Sequence, residues 1–175
     1  MVVFMNSKFY EDLKKAKVGE EIVLDVLKSA TNEWIFTNVS EDEEYYYKGD
    51  IEAWNIDVGC LYIDVKMDSR ITQTGNVLCE KKVYSYKDKQ YHKGNLDSDY
   101  DDLAIISVEA KKIWIIDFDV LKKHYKEGRA YSKDHYDNNG NLSQKTIGTL
   151  CSLKQIKKWG GLLYEIEYDD NHKIA

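Results

Sequence analysis

The sequence contains no proline and only three cysteines among its 175 residues, and no apolar run approaches the roughly 18 residues of a membrane-spanning helix. The absence of proline excludes collagen-like and proline-rich linker proteins. Cys60, Cys79 and Cys151 are odd in number and far apart, so we expect free thiols, mostly buried, rather than a disulfide scaffold. The first residues lack the basic segment of a secretory signal, which makes the cytoplasm the expected location and a membrane partner unexpected.

The chain carries an excess of acid, with 25 basic against 31 acidic residues and a net charge of −6. The excess is confined to residues 1–102, which hold 13 basic and 21 acidic side chains, whereas residues 103–175 hold 12 and 10. An acidic average argues against general affinity for nucleic acid, whose phosphates attract Lys and Arg. The distribution still permits a carboxylate site in the first part of the chain and a basic surface in the second.

Length and a hydrophobic content of 43% predict a single domain over residues 1–175. Helical periodicity covers residues 7–30, with a break expected at Gly19, and two later helices are predicted after the candidate caps Asp119 and Ser152. Strand patterns cover residues 34–36, 45–56, 61–67, 77–78, 82–86, 103–108, 113–118 and 162–168, while residues 87–102 are predicted to be a polar loop region. Without βαβ alternation, this order indicates an α+β domain with a mixed, mainly antiparallel central sheet flanked by helices. Its core is expected within residues 7–118, followed by C-terminal helices and a closing strand within 119–168.

A predicted β-hairpin brings acidic side chains together. Residues 45–56 and 61–67 flank an Asp-Val-Gly turn at 57–59, so the two strands fold back on each other. Side chains alternate along a strand, which puts Asp64 and Lys66 on one face, and the turn position puts Asp50 roughly opposite Asp64. Two carboxylates and a lysine suit Mg²⁺ or Mn²⁺, which take one or two carboxylates and complete their shell with water and phosphate. The alternative interpretation is an ordinary polar strand face.

The motifs around this hairpin resemble a known superfamily. Lys48-Gly49-Asp50, then Tyr62-Ile63-Asp64-Val65-Lys66, then Thr74-Gly75-Asn76 with Glu80 are similar to the PD-(D/E)XK nuclease superfamily, particularly its small phage and bacterial members. The resemblance covers roughly residues 18–118. The sequence departs from the pattern in having Gly49 in place of proline and Asp64 in place of the more frequent Glu.

The resemblance implies a restriction-endonuclease-like core and metal-dependent hydrolysis of phosphodiesters in DNA, with RNA as the alternative. It implies that Asp50, Asp64 and the Val65 carbonyl bind Mg²⁺ or Mn²⁺ and that Lys66 positions the attacking water. Glu20 would be an accessory acid and metal ligand, with Glu21 as the alternative. A homodimer is left open, because enzymes of this superfamily that cut both strands often pair their active sites, and a phage origin is suggested.

Basic residues collect in the last third of the sequence and are the predicted contacts to a nucleic-acid backbone: Lys122, Lys123, Lys126, Arg129, Lys133, Lys154, Lys157 and Lys158. Solvated helix faces would explain the same pattern. A rival function from another class is a catalytically silent binding protein on the same fold, such as an inhibitor or adaptor of a host nucleic-acid system, whose acidic surface imitates phosphates. A purely structural domain is a third alternative. Zinc spacing, an EF-hand loop, a P-loop and a G-x-S-x-G nucleophile motif are not found.

Overall fold

The structure is a computed structural model that describes residues 7–45, 48–137 and 139–175. Its α-helices are α1 (Ser7–Ala30), α2 (Ile71–Thr74), α3 (Phe118–His124) and α4 (Leu153–Lys158). Its strands are β1 (Ile35–Asn38), β2 (Ile51–Asn55), β3 (Gly59–Met67), β4 (Asn76–Ser85), β5 (Gln90–Lys93), β6 (Asp102–Ser107), β7 (Lys112–Asp117), β8 (Arg129–Tyr136), β9 (Leu142–Ser152) and β10 (Leu162–Glu167). Short 3₁₀ turns occupy Glu43–Tyr45, Asn95–Asp97 and Tyr125–Glu127.

The larger sheet has six strands in the order β1-β2-β3-β6-β7-β10. The β3–β6 pair is parallel, and the other four pairings are antiparallel. A parallel neighbour requires a long crossover, which here consists of α2, β4 and β5. The predicted α+β class with a mixed, mainly antiparallel sheet is therefore confirmed.

A second sheet of four antiparallel strands, in the order β5-β4-β9-β8, was not predicted. β5 lies inside the stretch predicted as a polar loop region, and β8 and β9 fall where no strand was expected. The side chains of β5 are all exposed and those of β8 mostly so. β5 and β8 are the two edge strands of this sheet and are held mainly by main-chain pairing. Their sequences therefore lack the apolar alternation by which strands are recognised.

The six-stranded sheet separates two apolar clusters. On one face, Ile63 and Val65 of β3 pack with Ile22, Val23 and Val26 of α1. On the other face, residues of β6 and β7 pack with residues of the second sheet and the short helices, including Ile71, Val77, Cys151, Ile156 and Phe118. Helices flank this sheet as expected, with α1 on one face and the short helices on the other, and the second sheet also covers part of that other face.

The helix ends show where local signals were correct. α1 runs through Gly19 without a break, because this glycine serves a close contact: a Cβ there would lie 2.6 Å from Met67 Cγ. α3 begins at Phe118 rather than after Asp119, since Asp117 is the cap and its Oδ1 accepts a hydrogen bond from Val120 N at 2.9 Å. Ser152 caps α4 in a capping box, as predicted.

The cysteines are free thiols, as predicted, with Cys79 and Cys151 buried and Cys60 exposed. Among the described helices, none combines the length and the apolar character needed to cross a bilayer.

Candidate metal centre

The hairpin of β2 and β3 has the register that the sequence predicts. Ile51 pairs with Ile63, so Asp50, the residue before β2, comes level with Asp64. The Asp50 main-chain N–H donates to the Ile63 carbonyl at 2.9 Å and extends the ladder by one bond. The two carboxylates are thereby placed on adjacent strands at the point where β2 begins.

Asp50 also satisfies a main-chain donor of β3. Because pairing of β2 with β3 begins at Ile51, the Val65 N–H has no main-chain partner from β2, and Asp50 Oδ2 accepts its hydrogen bond at 2.8 Å. The N–H and C=O of one strand residue point to the same side, so the Val65 carbonyl projects towards this same open edge. The predicted third ligand therefore lies beside Asp50.

Gly49, the residue before Asp50, has a backbone conformation that favours glycine. Its φ of 135° lies in a region that L-residues rarely adopt, and a Cβ would lie 2.9 Å from the Ile63 carbonyl oxygen. Proline requires φ near −65° and cannot occupy this position without moving the backbone. Glycine is therefore what allows Asp50 to reach β3 in this chain.

Asp64 and Lys66 project from the face opposite α1 and form an ion pair. Lys66 Nζ lies 2.9 Å from Asp64 Oδ2 and donates a hydrogen bond to Oδ1 at 3.2 Å. Asp64 Oδ2 is inaccessible to solvent and receives no well-aligned hydrogen bond, so its contact with Lys66 is electrostatic only. The Asp64 side chain is 13% exposed and that of Lys66 is 52% exposed, which leaves the ammonium open to solvent or to a ligand.

Burial and mutual repulsion disfavour the charged forms of both carboxylates. Burial, followed by the negative charge of Asp64, raises the pKa of Asp50 to about 6. Burial also raises the pKa of Asp64, against the opposing influence of Lys66. For Lys66, burial lowers the pKa, but attraction by Asp64 outweighs it, so the net pKa is raised and the lysine stays protonated. A cation bound between the two carboxylates would relieve this repulsion.

Glu20 lies near the pair but has its own partners. Its carboxylate is buried and accepts hydrogen bonds from Ser40 Oγ at 2.7 Å and Asn38 Nδ2 at 3.3 Å. Its charge raises the pKa of both Asp50 and Asp64. Within the described ranges, no three His, Cys, Asp or Glu side chains converge as one metal-binding group. The accessory role of Glu20 stays a prediction, and Glu21 is exposed.

Tyr100 is a site residue that sequence reasoning missed. Its side chain is buried, its hydroxyl has no hydrogen-bond partner among the described residues, and burial followed by the nearby Asp64 raises its pKa. Glu80 is close enough to contribute to the raised pKa of Lys66 and of Tyr100. A lone tyrosine before a strand carries no chemical signal, so only the fold could associate Tyr100 with Asp64.

The predicted basic contacts are dispersed over several elements. Lys122 lines a cavity against the second sheet, with its ammonium 5.0 Å from the centroid of the Phe118 ring. The other predicted basic residues are exposed: Lys123, Lys126, Arg129, Lys133, Lys154, Lys157 and Lys158. Their contact with nucleic acid stays a prediction.

Two carboxylates and a main-chain carbonyl fit a hard divalent cation that completes its shell with water and phosphate, and one oxygen of these carboxylates, Asp64 Oδ2, has no aligned donor among the described residues. Residues 20, 50, 64 and 65 are the ones that could hold it. Comparison with protein-family models, with curated proteins and with solved structures gave no match.

Proposed function

We propose that this protein is a Mg²⁺- or Mn²⁺-dependent nuclease that hydrolyses phosphodiester bonds in DNA, on a restriction-endonuclease-like core. The observation that carries the proposal is the convergence of Asp50 and Asp64 on adjacent strands beside the half-exposed ammonium of Lys66. A strand surface that served only solubility has no need for two partly buried carboxylates that repel each other. The motif resemblance around these residues supports the same function.

The chain's own groups divide the work. Asp50 and Asp64, with the Val65 carbonyl, hold the cation, and the bond from Val65 N to Asp50 fixes one carboxylate in place. A bound divalent cation supplies a charge that polarises the scissile phosphate and lowers the pKa of a bound water. Because Lys66 stays protonated, it donates to the water or stabilises the charge that develops on the phosphate, rather than removing a proton.

The first test is calorimetric titration of Mg²⁺ and Mn²⁺ into the wild type and Asp64→Ala, with plasmid and single-strand cleavage assays. Asp64→Ala is expected to lose cleavage by at least about 100-fold, because both the ligand and the anchor of Lys66 are gone. Folding should be nearly intact, since the remaining Lys66 side chain is 52% exposed.

Asp102→Asn is the matched control, because Asp102 is also a partly buried aspartate of the same sheet with a pKa raised by burial to about 6. It should retain both metal binding and cleavage. Retained cleavage in Asp64→Ala, with loss in Asp102→Asn, would overturn the site assignment.

The second candidate is a catalytically silent binding protein, and one observation favours it: Lys66 already neutralises Asp64 without a metal. If the pair of Lys66 and Asp64 were only structural, neither Mg²⁺ nor Mn²⁺ would bind and no nucleic acid would be cut. The same two assays therefore decide between the functions, since a silent protein gives no metal-dependent cleavage of any plasmid or oligonucleotide.

A further inference from the structure

A basic cleft lies between the β4–β5 hairpin and the end of α3, with a cavity volume of about 430 Å³. We use "basic cleft" for the cavity lined by Lys81, Lys82, Lys93, Lys122, Tyr91 and Tyr125. Its volume falls within the range of small-molecule and cofactor sites. Among its described lining residues, Asp97 is the one carboxylate.

Most of the positive charge of the basic cleft is without an ion-pair partner in the described part of the chain. Lys82 and Lys93 are directly opposite each other in the β4–β5 ladder, an arrangement that destabilises a sheet. In the part of the chain that the structure describes, neither these two lysines nor Lys81 has a carboxylate within ion-pairing distance. Lys122 pairs at 3.0 Å with Asp119, whose side chain is 84% exposed and free to be displaced. This concentration of positive charge, in a protein of net charge −6, is complementary to a polyanion.

Two tyrosine rings in the basic cleft indicate which kind of polyanion it binds. Tyr91 is 58% exposed, and Lys82 Nζ lies 4.1 Å from the centroid of its ring. Tyr125 lines the opposite side, on the 3₁₀ turn after α3. An exposed ring beside lysines, such as Tyr91, is the arrangement on which single-stranded nucleic acids stack their bases while their phosphates meet the cations. The half-buried ring of Tyr125 adds a second aromatic surface to the cleft. A duplex keeps its bases stacked inside and does not use such rings.

A chain of buried ring contacts runs through the core between the basic cleft and the candidate metal centre. The Lys122 ammonium lies over the ring of Phe118, and the Phe118 ring centroid is 4.1 Å from that of Tyr100. Tyr100 in turn is close enough to Asp64 for the carboxylate to raise its pKa. On the other side, Glu80, the neighbour of Lys81 in the chain, acts on Lys66.

We propose that the basic cleft binds a single-stranded nucleic acid, with phosphates on Lys82, Lys93 and Lys122 and bases against Tyr91 and Tyr125. The assignment of this strand as the substrate that is led to Asp64 rests on the proposed function. The binding itself does not depend on metal or on catalysis.

The test is fluorescence anisotropy of labelled 15-nucleotide single strands and of the matching duplex, with EDTA present so that nothing is cut. The cleft variant Lys82→Gln/Lys93→Gln/Lys122→Gln is expected to bind the single strand at least about tenfold more weakly and to reduce the slope of log K against log salt by about 2. The matched control Lys14→Gln/Lys15→Gln/Lys28→Gln removes the same charge from exposed positions of α1 and should bind like the wild type. Tyr91→Ala should weaken binding about tenfold without changing the salt slope, because it removes stacking and no charge.

Each result has a definite meaning. The proposal would be overturned by preference for the duplex, or by undiminished binding of the cleft variant with an unchanged melting temperature. Loss of binding in the α1 control instead of the cleft variant would overturn it as well. The double variant Asp50→Asn/Asp64→Asn separates the two proposals, since it should bind the single strand normally and cut nothing. A wild type that binds in the cleft but cuts nothing leaves the cleft standing and removes the nuclease. If the wild type cuts nucleic acid while the cleft variant binds single strands normally, the nuclease proposal stands and the cleft proposal is overturned.

Discussion

At the scale of single residues, the candidate site depends on how a few polar atoms are satisfied. Asp50 accepts from Val65 N, and Asp64 Oδ2 has only its electrostatic contact with Lys66. A buried polar atom without an aligned donor destabilises the folded protein. A ligand that supplies positive charge would therefore change the environment of the Asp64 carboxylate most. The same residues therefore determine both the stability and the activity of the site.

Asp50→Asn should stabilise the protein while removing activity. A carboxyl whose pKa is raised to about 6 binds its proton more tightly in the folded state, so wild-type stability falls as pH rises from about 4 to 6. The amide keeps an acceptor for Val65 N and has no charge, so its free energy of unfolding at pH 7.5 should exceed that of the wild type by about 1 kcal/mol. Thermal melts at pH 4.0 and 7.5 measure this, and the gain should vanish at pH 4.0.

Asp102→Asn provides the comparison, because the pKa of Asp102 is also raised to about 6 by burial and by Asp117. It should show the same pH-dependent gain with cleavage unaffected. Equal loss of cleavage in both variants would contradict the assignment of Asp50 to the site.

Lys66→Ala should separate metal binding from turnover. Without the ammonium, the cation meets less repulsion at Asp64, so Mn²⁺ affinity measured by calorimetry should be equal or higher. Turnover should fall about 100-fold, because the charge that faces the scissile phosphate is lost. Lys14→Ala, a change of the same kind at an exposed position of α1, is the control for general charge effects.

At the scale of elements, the second sheet depends on a close approach in its centre. Gly148 of β9 pairs with Glu80 of β4 next to a register shift, and a Cβ at Gly148 would overlap the Cys79 carbonyl oxygen. The Cys79 carbonyl oxygen belongs to the main chain and cannot move aside like the end of a flexible side chain. The two strands themselves would therefore have to separate.

Gly148→Ala should therefore lower the free energy of unfolding by more than about 2 kcal/mol. Chemical denaturation measures the effect, with Ser132→Ala on the exposed side of β8 as the control. A change below 0.5 kcal/mol in Gly148→Ala, roughly the scatter of surface substitutions, would show that the two strands are not packed as closely as described.

At the scale of the whole molecule, the six-stranded sheet is the shared wall of both apolar clusters. Ile113 and Ile116 are fully buried residues of β7 that belong to opposite clusters. Since both clusters share these strands, loss of packing on one face should weaken the other.

Ile113→Ala and Ile116→Ala should each cost about 2–5 kcal/mol and should each give one cooperative transition. Far-ultraviolet and near-ultraviolet circular dichroism should report the same midpoint in both variants. Two separate midpoints in either variant would show instead that the faces unfold independently.

The sequence alone determined the features that depend on neighbours in the chain. The β2–β3 hairpin, the position of Asp50 opposite Asp64 and the cap at Ser152 follow from alternation, a turn and a capping pattern within a few residues. The helix break expected at Gly19 was wrong, because this glycine serves close packing within a continuous helix. The cap expected at Asp119 was wrong, because the neighbouring Asp117 caps α3 instead.

The tertiary structure decided what depends on residues far apart in the chain. β9 pairs with β4 and β8 pairs with β9 through main-chain bonds, and Tyr100 approaches Asp64 because β6 lies parallel to β3. The basic cleft arises in the acidic part of the sequence, where residues 81–93 hold five lysines and one aspartate, a local signal that the average charge conceals. Such lysines become a binding surface when strand pairing sets them against α3, since spatial proximity, rather than charge count, concentrates a field.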